Sequence, residues 1–430
     1  MRISTVTMFE QSTASMNRQQ SELMKVSQQI ASGRRIVNPS DDPQAASRAV
    51  GVDQAKAVTE QYSDARISAR NSLSQTESIL NSVSDAVTSA KTLLIQASSD
   101  TLSDVDRESI ASELKGVYET MLGQANATDG NGRYLFGGYK DNAPPFVKSA
   151  GGSIEYQGDS NVREQRVDAS RLMPVNDNGE TIFKSVPSGA GYIAESVRTS
   201  IQGERLTGGE ARNDGTATFT GPQVRDVNAE GYGENYRMVF GGDEDAGFTY
   251  DVQKFDEVVG EWDTATPVLS GTYSPSGEGQ QIEFAGVSIK LEGKPEAGDE
   301  ILVAKAGGEV RDADLFRTME EAIRVLENPA DTPAKKADLR NTLNTAMRDL
   351  DNSLDNVLTV RASAGARLNE LDVVDAVGSN RMLNYEQTLS DLVDLDYAEA
   401  ISEYSLRQVG MQAAQKAFVD IKGLSLFNYM

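Results

Sequence analysis

FEQSTASMNRQQSELMKVSQQI, residues 9–30, places Phe9, Met16, Leu23 and Ile30 seven residues apart. Near the other end, YAEAISEYSLRQVGMQAAQKAF, residues 397–418, repeats the spacing with Tyr397, Tyr404, Met411 and Phe418, and Ile421 follows three residues later. A seven-residue apolar repeat draws one narrow stripe along a helix, and such a stripe is buried only against another helix. Two such helices at opposite ends of one chain either meet each other or meet their counterparts in neighbouring subunits. The expectation is a subunit interface formed by these nine residues. The stripes are thin, since Thr13 and Gln20 stand where a strong coiled coil would be apolar. Ordering the backbone costs about 1–2 kcal/mol per residue, so the first helix is expected to fray in a free monomer.

Working inward, the first helix stops at Gly33, and Ser40-Asp41-Asp42-Pro43 starts a second. Asp at the cap with Pro in the first turn is a favourable helix start. That helix is expected to reach about residue 98, with Leu73, Leu80, Val87 and Leu94 as its seam. A third should run over about 106–128 from Asp104 or Asp106, with a short hairpin at Tyr134–Gly138 after the Asp129-Gly130-Asn131-Gly132 turn. Beyond residue 310, helices are expected at about 313–328, 333–377 and 383–422. The second of these carries Leu343, Leu350, Val357, Ala364 and Leu371 as an internal seam.

Between them, residues 146–310 hold 25 of the 37 glycines, and the apolar period changes to two. Phe248, Tyr250 and Val252 alternate, as do Val287, Ile289 and Leu291. Short alternating segments separated by Gly, Pro and Asp turns indicate a small β sandwich or barrel. The expected fold class is therefore α+β: an elongated α-helical bundle or coiled-coil rod built from both chain ends, with an inserted mainly-β domain. The expected division is a terminal assembly region (1–43 and 380–430), a helical rod (44–145 and 311–379) and an outer β domain (146–310).

Composition narrows the function. The 430 residues carry 41 basic against 65 acidic side chains, a net charge of -24. Nucleic acid and anionic membranes reward clustered Lys and Arg, so neither is an expected partner. The chain has no histidine and no cysteine, which excludes Ser-His-Asp and Cys-His hydrolase arrangements, thiol redox chemistry and the usual zinc sites. No apolar run approaches the length of a membrane helix, and the first 30 residues lack the apolar core of a secretory signal. The expectation is a cytoplasmic protein or one exported without such a signal.

Site-like features have plainer readings. Asp243-Glu244-Asp245 lacks the spacing of a calcium loop and reads as a solvated turn, and Asp129–Arg133 likewise reads as a turn. Asp391, Asp394 and Asp396 read as a charged face of the last helix, and Asn126-Ala127-Thr128 as a helix C-terminus rather than a glycosylation site. No phosphate loop or dinucleotide fingerprint occurs. No enzymatic activity, cofactor or metal is expected.

Ser32-Gly33-Arg34-Arg35-Ile36-Val37-Asn38-Pro39-Ser40-Asp41-Asp42-Pro43 resembles the segment joining the first two helices of the flagellin-like axial proteins of bacterial flagella. The two prolines, Tyr134-Leu135-Phe136-Gly137-Gly138 and the ending Leu424-Ser425-Leu426-Phe427-Asn428-Tyr429-Met430 are similar to the hook-associated members rather than to flagellin. Gly293–Glu300 matches a turn common in their outer domains. The resemblance extends over about 1–145 and 310–430, and between them only that turn is recognisable.

It implies a structural adaptor: a ring homo-oligomer between the hook side and the filament, touching hook-associated protein 1 and flagellin. It further implies export from the cytoplasm by the flagellar type III pathway, with a chaperone guarding the C-terminal helix beforehand. The alternatives are flagellin itself, or a surface-binding module in the β domain. Glycosidase chemistry there would need a carboxylate pair at defined spacing, which the sequence does not single out.

Overall fold

The structure, a computed structural model, describes residues 5–187, 189–197, 211–275, 277–308 and 310–427, with the side chains of 5, 6, 8 and of 421 onward outside the description. The fold is α+β: helices from both ends of the chain frame an inserted β-rich region. The chain divides into two compact units. One comprises Met1–Ile67, Val167–Ser170 and Asp372–Met430, and the other Ser68–Arg166 and Arg171–Leu371.

In the terminal unit, helix α1 (Thr5–Ser32) ends at Gly33, whose φ of 69° suits a residue without a Cβ. The Asp41 carboxylate accepts the Asn38 N–H at 2.9 Å and pairs with Lys25 at 3.0 Å. These contacts, the Asn38 N–H first, hold its pKa below the usual carboxylate range. Asp42 accepts the Ala45 N–H at 3.0 Å and so caps α2 (Pro43–Ala97), with Pro43 in its first turn.

At the other end, the break between the last two helices lies later than the sequence suggests. Helix α6 (Pro333–Val393) runs straight through Gly378, and α7 (Tyr397–Phe427) begins only after Asp396. Gly378 is an opening rather than a stop, since a Cβ there would lie 2.7 Å from Nη2 of Arg66. Arg66 is buried, pairs with Asp375 and donates to the Val167 carbonyl at 3.1 Å. Asp391, Asp394 and Asp396 accordingly do not share a face of the last helix. Asp391 is on α6, and Asp396 accepts the N–H groups of Ala398 (2.9 Å) and Glu399 (3.2 Å) to cap α7.

In the second unit, α3 (Asp104–Ala125) starts from a capping box. Ser103 is the cap, exchanging bonds with Asp106, rather than either aspartate. The hairpin expected at Tyr134–Gly138 is reduced to an isolated antiparallel bridge from Tyr134 to Thr128, and Leu135 and Phe136 are buried under the helices. The first hairpin is β1 (Phe146–Lys148) with β2 (Ile154–Tyr156), and β3 (Glu164–Asp168) pairs with β4 (Arg171–Pro174). Asn126 ends α3 and holds Phe146 by two 2.9 Å bonds to its N–H and carbonyl. Phe146, with Phe183 of α4 (Gly179–Phe183), enters the helical core beside Phe316 of α5 (Leu315–Glu327). That core contains most of the expected seams, Leu80, Val87 and Leu94 from α2 and Leu343, Leu350 and Val357 from α6, while Leu73, Ala364 and Leu371 are buried outside it.

The remaining strands form a β sandwich with antiparallel neighbours. One sheet has the order β10 (Leu269–Tyr273), β8 (Phe248–Asp256), β7 (Tyr236–Gly241), β13 (Glu300–Lys305), β5 (Tyr192–Val197), with β9 (Glu261–Trp262) on β8. The other has the order β11 (Gln280–Phe284), β12 (Val287–Glu292), β6 (Thr218–Val224). Met238, Val252, Ile301 and Val303 from one sheet and Phe219, Ile282, Ile289 and Leu291 from the other share one apolar core, as the period-two pattern requires. The Gly293–Glu300 turn is organised by buried Asp299, which accepts the N–H groups of Asp214, Gly215 and Glu296. Asp243 closes an exposed turn by accepting the Asp245 and Ala246 N–H groups. Among the described residues no helix is long and apolar enough to cross a membrane.

Candidate assembly surface

Helices α1 and α7 pack antiparallel on each other within one chain. At one end the Phe9 and Phe418 rings stack with centroids 5.1 Å apart, tilted by 41°. In the middle, Arg407 of α7 pairs with Glu22 of α1 and, at 2.6 Å, with Glu403. At the other end a Cβ on Gly33 would lie 2.9 Å from the Tyr397 hydroxyl. The two connecting turns are laced together beyond it. Arg35 N–H donates to the Val393 carbonyl (2.8 Å) and Leu395 N–H to that of Gly33 (3.1 Å).

The sequence-derived interface residues occupy this pairing unevenly. Met16, Leu23, Ile30, Tyr404 and Phe418 are half-buried, and Met411 is buried. Phe9 keeps 44% of its surface exposed and Tyr397 49%. The Ile421 side chain lies outside the described residues. The helices also bury Val26 and Ala400, which are off the seven-residue stripe. Val26 follows Leu23 by three residues and Ala400 follows Tyr397 by three, which is the a-to-d step of a heptad, so they add the second position of the same seam. Gln19, one residue before the expected gap at Gln20, enters the seam opposite Gly410; its Oε1 is 3.7 Å from where a Gly410 Cβ would be.

The heptads miss the apolar residues on the outside of the pair. Ile401, Leu406, Val409 and Val419 of α7 are exposed, Leu406 by 74%, as is Met24 of α1. The available signal is composition. Helix α7 carries apolar residues around more than one face, and a helix apolar all round is one that becomes buried on several sides.

Helices paired from the two chain ends, a β sandwich inserted between them in sequence, and the matches that follow put this chain in the class of flagellin-like axial proteins. Residues 3–141 match the bacterial flagellin N-terminal helical region. Over 428 residues the chain is 33% identical to flagellar hook-associated protein 3 of Escherichia coli (strain K12), covering 99% of both chains. It is 31% identical, with the same coverage, to the protein of that name from Salmonella typhimurium. The crystal structure of FlgL from Xanthomonas campestris superposes with a TM-score of 0.65 at 28% identity, covering 79% of this chain and 99% of that one. Flagellar hook-associated protein-3 from Legionella pneumophila gives 0.66 at 27%, covering 79% and 98%. The chain belongs to the flagellar hook-associated protein 3 family.

Proposed function

We propose that this chain is a structural junction protein of the bacterial flagellum, forming a ring between the hook side and the flagellin filament through its terminal helices. The observation that carries this reading is the α1–α7 pair. It is joined by the Phe9–Phe418 and Glu22–Arg407 contacts and leaves Leu406 and Val409 exposed. Family membership supplies the context, since a solved Legionella pneumophila relative is described as the flagellar junction protein FlgL. The role is structural rather than catalytic.

In this reading Phe9, Met16, Leu23, Ile30, Tyr397, Tyr404, Met411, Phe418 and Ile421 are the subunit-interface residues. Burying what remains exposed of them supplies association energy. The chain would divide into a terminal assembly region (1–43, 380–430), a helical rod (44–145, 311–379) and an outer β domain (146–310). Its neighbours are further copies of itself, hook-associated protein 1 below and flagellin above. The protein resides in the extracellular flagellum. It reaches that place by the flagellar type III pathway, with an export chaperone bound at the C-terminal helix beforehand.

The test is seeded assembly. Purified chain is added to hook ends carrying hook-associated protein 1 and to filament fragments. Addition of a limited ring that then accepts flagellin supports the junction reading. Unlimited self-elongation makes the chain a filament subunit, and binding to neither seed refutes both.

A further inference from the structure

Helix α6 carries a second buried stripe beside its apolar seam. Asp338, Asn341, Thr345, Asp349, Ser353 and Asn356 follow at steps of three or four residues, and all six are buried. A helical row at that spacing lies on one face. Its partners belong largely to the β-rich region. Asn341 accepts the Phe219 N–H (3.1 Å) and donates to the Ala217 carbonyl (3.0 Å), as a neighbouring strand would. Thr345 donates to the Ala194 carbonyl at 2.7 Å. Arg348, beside the row, donates to the Pro222 carbonyl at 2.6 Å. Asn356 donates to the carbonyls of Thr181 (2.7 Å) and Ile182 (3.0 Å).

The strands touched at Ala194 and Phe219 are β5 and β6, each the last strand of its sheet. The stripe therefore covers the open edges of both sheets, where unpaired backbone would otherwise invite another chain. Below it, Asp349 pairs with Arg311 (3.0 Å), and Arg311 with Glu195 of β5 (2.7 Å). Glu195 also meets Arg317 and Arg212; Arg212 meets Glu321, and Arg324 joins Glu321 to Asp338. Burial pushes the Glu195 carboxyl up, but Arg311, Arg317 and Arg212 outweigh it and hold the group well below the usual carboxylate range.

We infer that the polar stripe of α6 is a register lock. It fixes the sandwich at one axial and rotational setting on the helix, and releasing it frees a folded sandwich instead of unfolding it. Buried hydrogen bonds and charges suit this role because a slip along the helix would leave them unpaired, whereas an apolar contact tolerates sliding. Asn341 and Arg311 are its positioning residues.

The experiment uses the full chain. It has no cysteine, so Thr272→Cys in the sandwich and Leu358→Cys on α6 can be spin-labelled selectively. Trp262, the one tryptophan, lies in the sandwich and reports its fold by emission. Asn341→Leu and, separately, Arg311→Lys should broaden the inter-label distance distribution. Asn341→Leu should also speed exchange of the Phe219 amide about ten-fold or more. Trp262 emission and exchange at Met238 and Val252 should hold. A distribution that stays narrow in both variants overturns the inference. So does loss of the native Trp262 emission in either, because the lock requires the sandwich to survive its own release.

Discussion

Replacing Phe418 by Ala separates what the terminal pair does for one chain from what it does for an assembly. The ring meets Phe9 at 5.1 Å, an aromatic contact worth about 0.5–1.5 kcal/mol beyond area burial. Fully burying a Phe contributes about 1.5–3 kcal/mol. Phe418 is itself half-buried, so roughly half or more of that is realised in a lone chain. Phe418→Ala should therefore cost the free chain roughly 1–3 kcal/mol, confined to α1 and α7. In an assembly that covers both rings the loss should be about 1 kcal/mol larger, raising the critical concentration in the seeded assay by an order of magnitude when several such losses act together. Leu406→Ala is the matched control. At 74% exposure it should change free-chain stability by less than about 0.5 kcal/mol yet weaken assembly. The free chain is followed by circular dichroism at the first melting phase, and assembly by sedimentation of seeded rings. If Phe418→Ala shifts the melt but leaves assembly untouched, the Phe pair serves the monomer alone and the interface reasoning fails for these residues.

Leu350, fully buried between helices, should cost about 2–5 kcal/mol when changed to Ala; a denaturant midpoint unchanged within error would contradict the seam. Gly378→Ala would place a Cβ 2.7 Å from Arg66 Nη2, and displacing a buried ion pair for one methyl should cost about 1–3 kcal/mol in thermal melts, despite the higher helix propensity of Ala. For pH, the carboxyl of Glu195 is depressed in the fold, so its contribution is present above the ordinary value of 4.5 and is lost as pH falls through its lowered one. Asp338, raised by burial against Arg324 and Arg212, has the opposite sign and takes its proton earlier. With no histidine in the chain, urea midpoints should be flat over about pH 6–8 and fall under acid, and Glu195→Gln should lower the neutral plateau and flatten that fall. In dilute free chain, amides of 5–30 and 400–427 should exchange faster than those around Leu350; uniformly slow exchange at both ends would rule out marginal terminal pairing.

The helical frame was legible because its signals are local. The seven-residue recurrence of Phe9 to Ile30, the Asp42-Pro43 start and the seam from Leu73 to Leu94 each lie within a few turns of chain. The α6–α7 break was misplaced for the complementary reason. Nothing local shows that the helix continues through Gly378; what packs against it there is Arg66, more than 300 residues away in sequence. The polar stripe of α6 was invisible for the same cause. Asp338, Asn341, Thr345 and Asp349 have the chemistry of a solvated face, and only the distant carbonyls of Ala194 and Ala217 make them interior. Buried polar groups need partners, and sequence spacing names the group without naming the partner.

How the expected interface residues sit in the α1–α7 pair bears on how the termini work. Among the described side chains, α1 buries only Val26 below the surface, and α7 only Ala400 and Met411. So few fully buried side chains do little to offset the backbone entropy that ordering two long helices costs, and the pair depends on further burial against its outer face. A strong heptad would have shifted that balance inward by hiding Phe9 and Tyr397 completely, and would have left neighbours little to bury. A fully polar seam would have removed the template on which Leu406 and Val409 are held side by side. The thin stripe that looked like a weak coiled coil is thus suited to a helix pair that orders in proportion to what is packed against its outer face, which makes assembly and terminal folding one equilibrium.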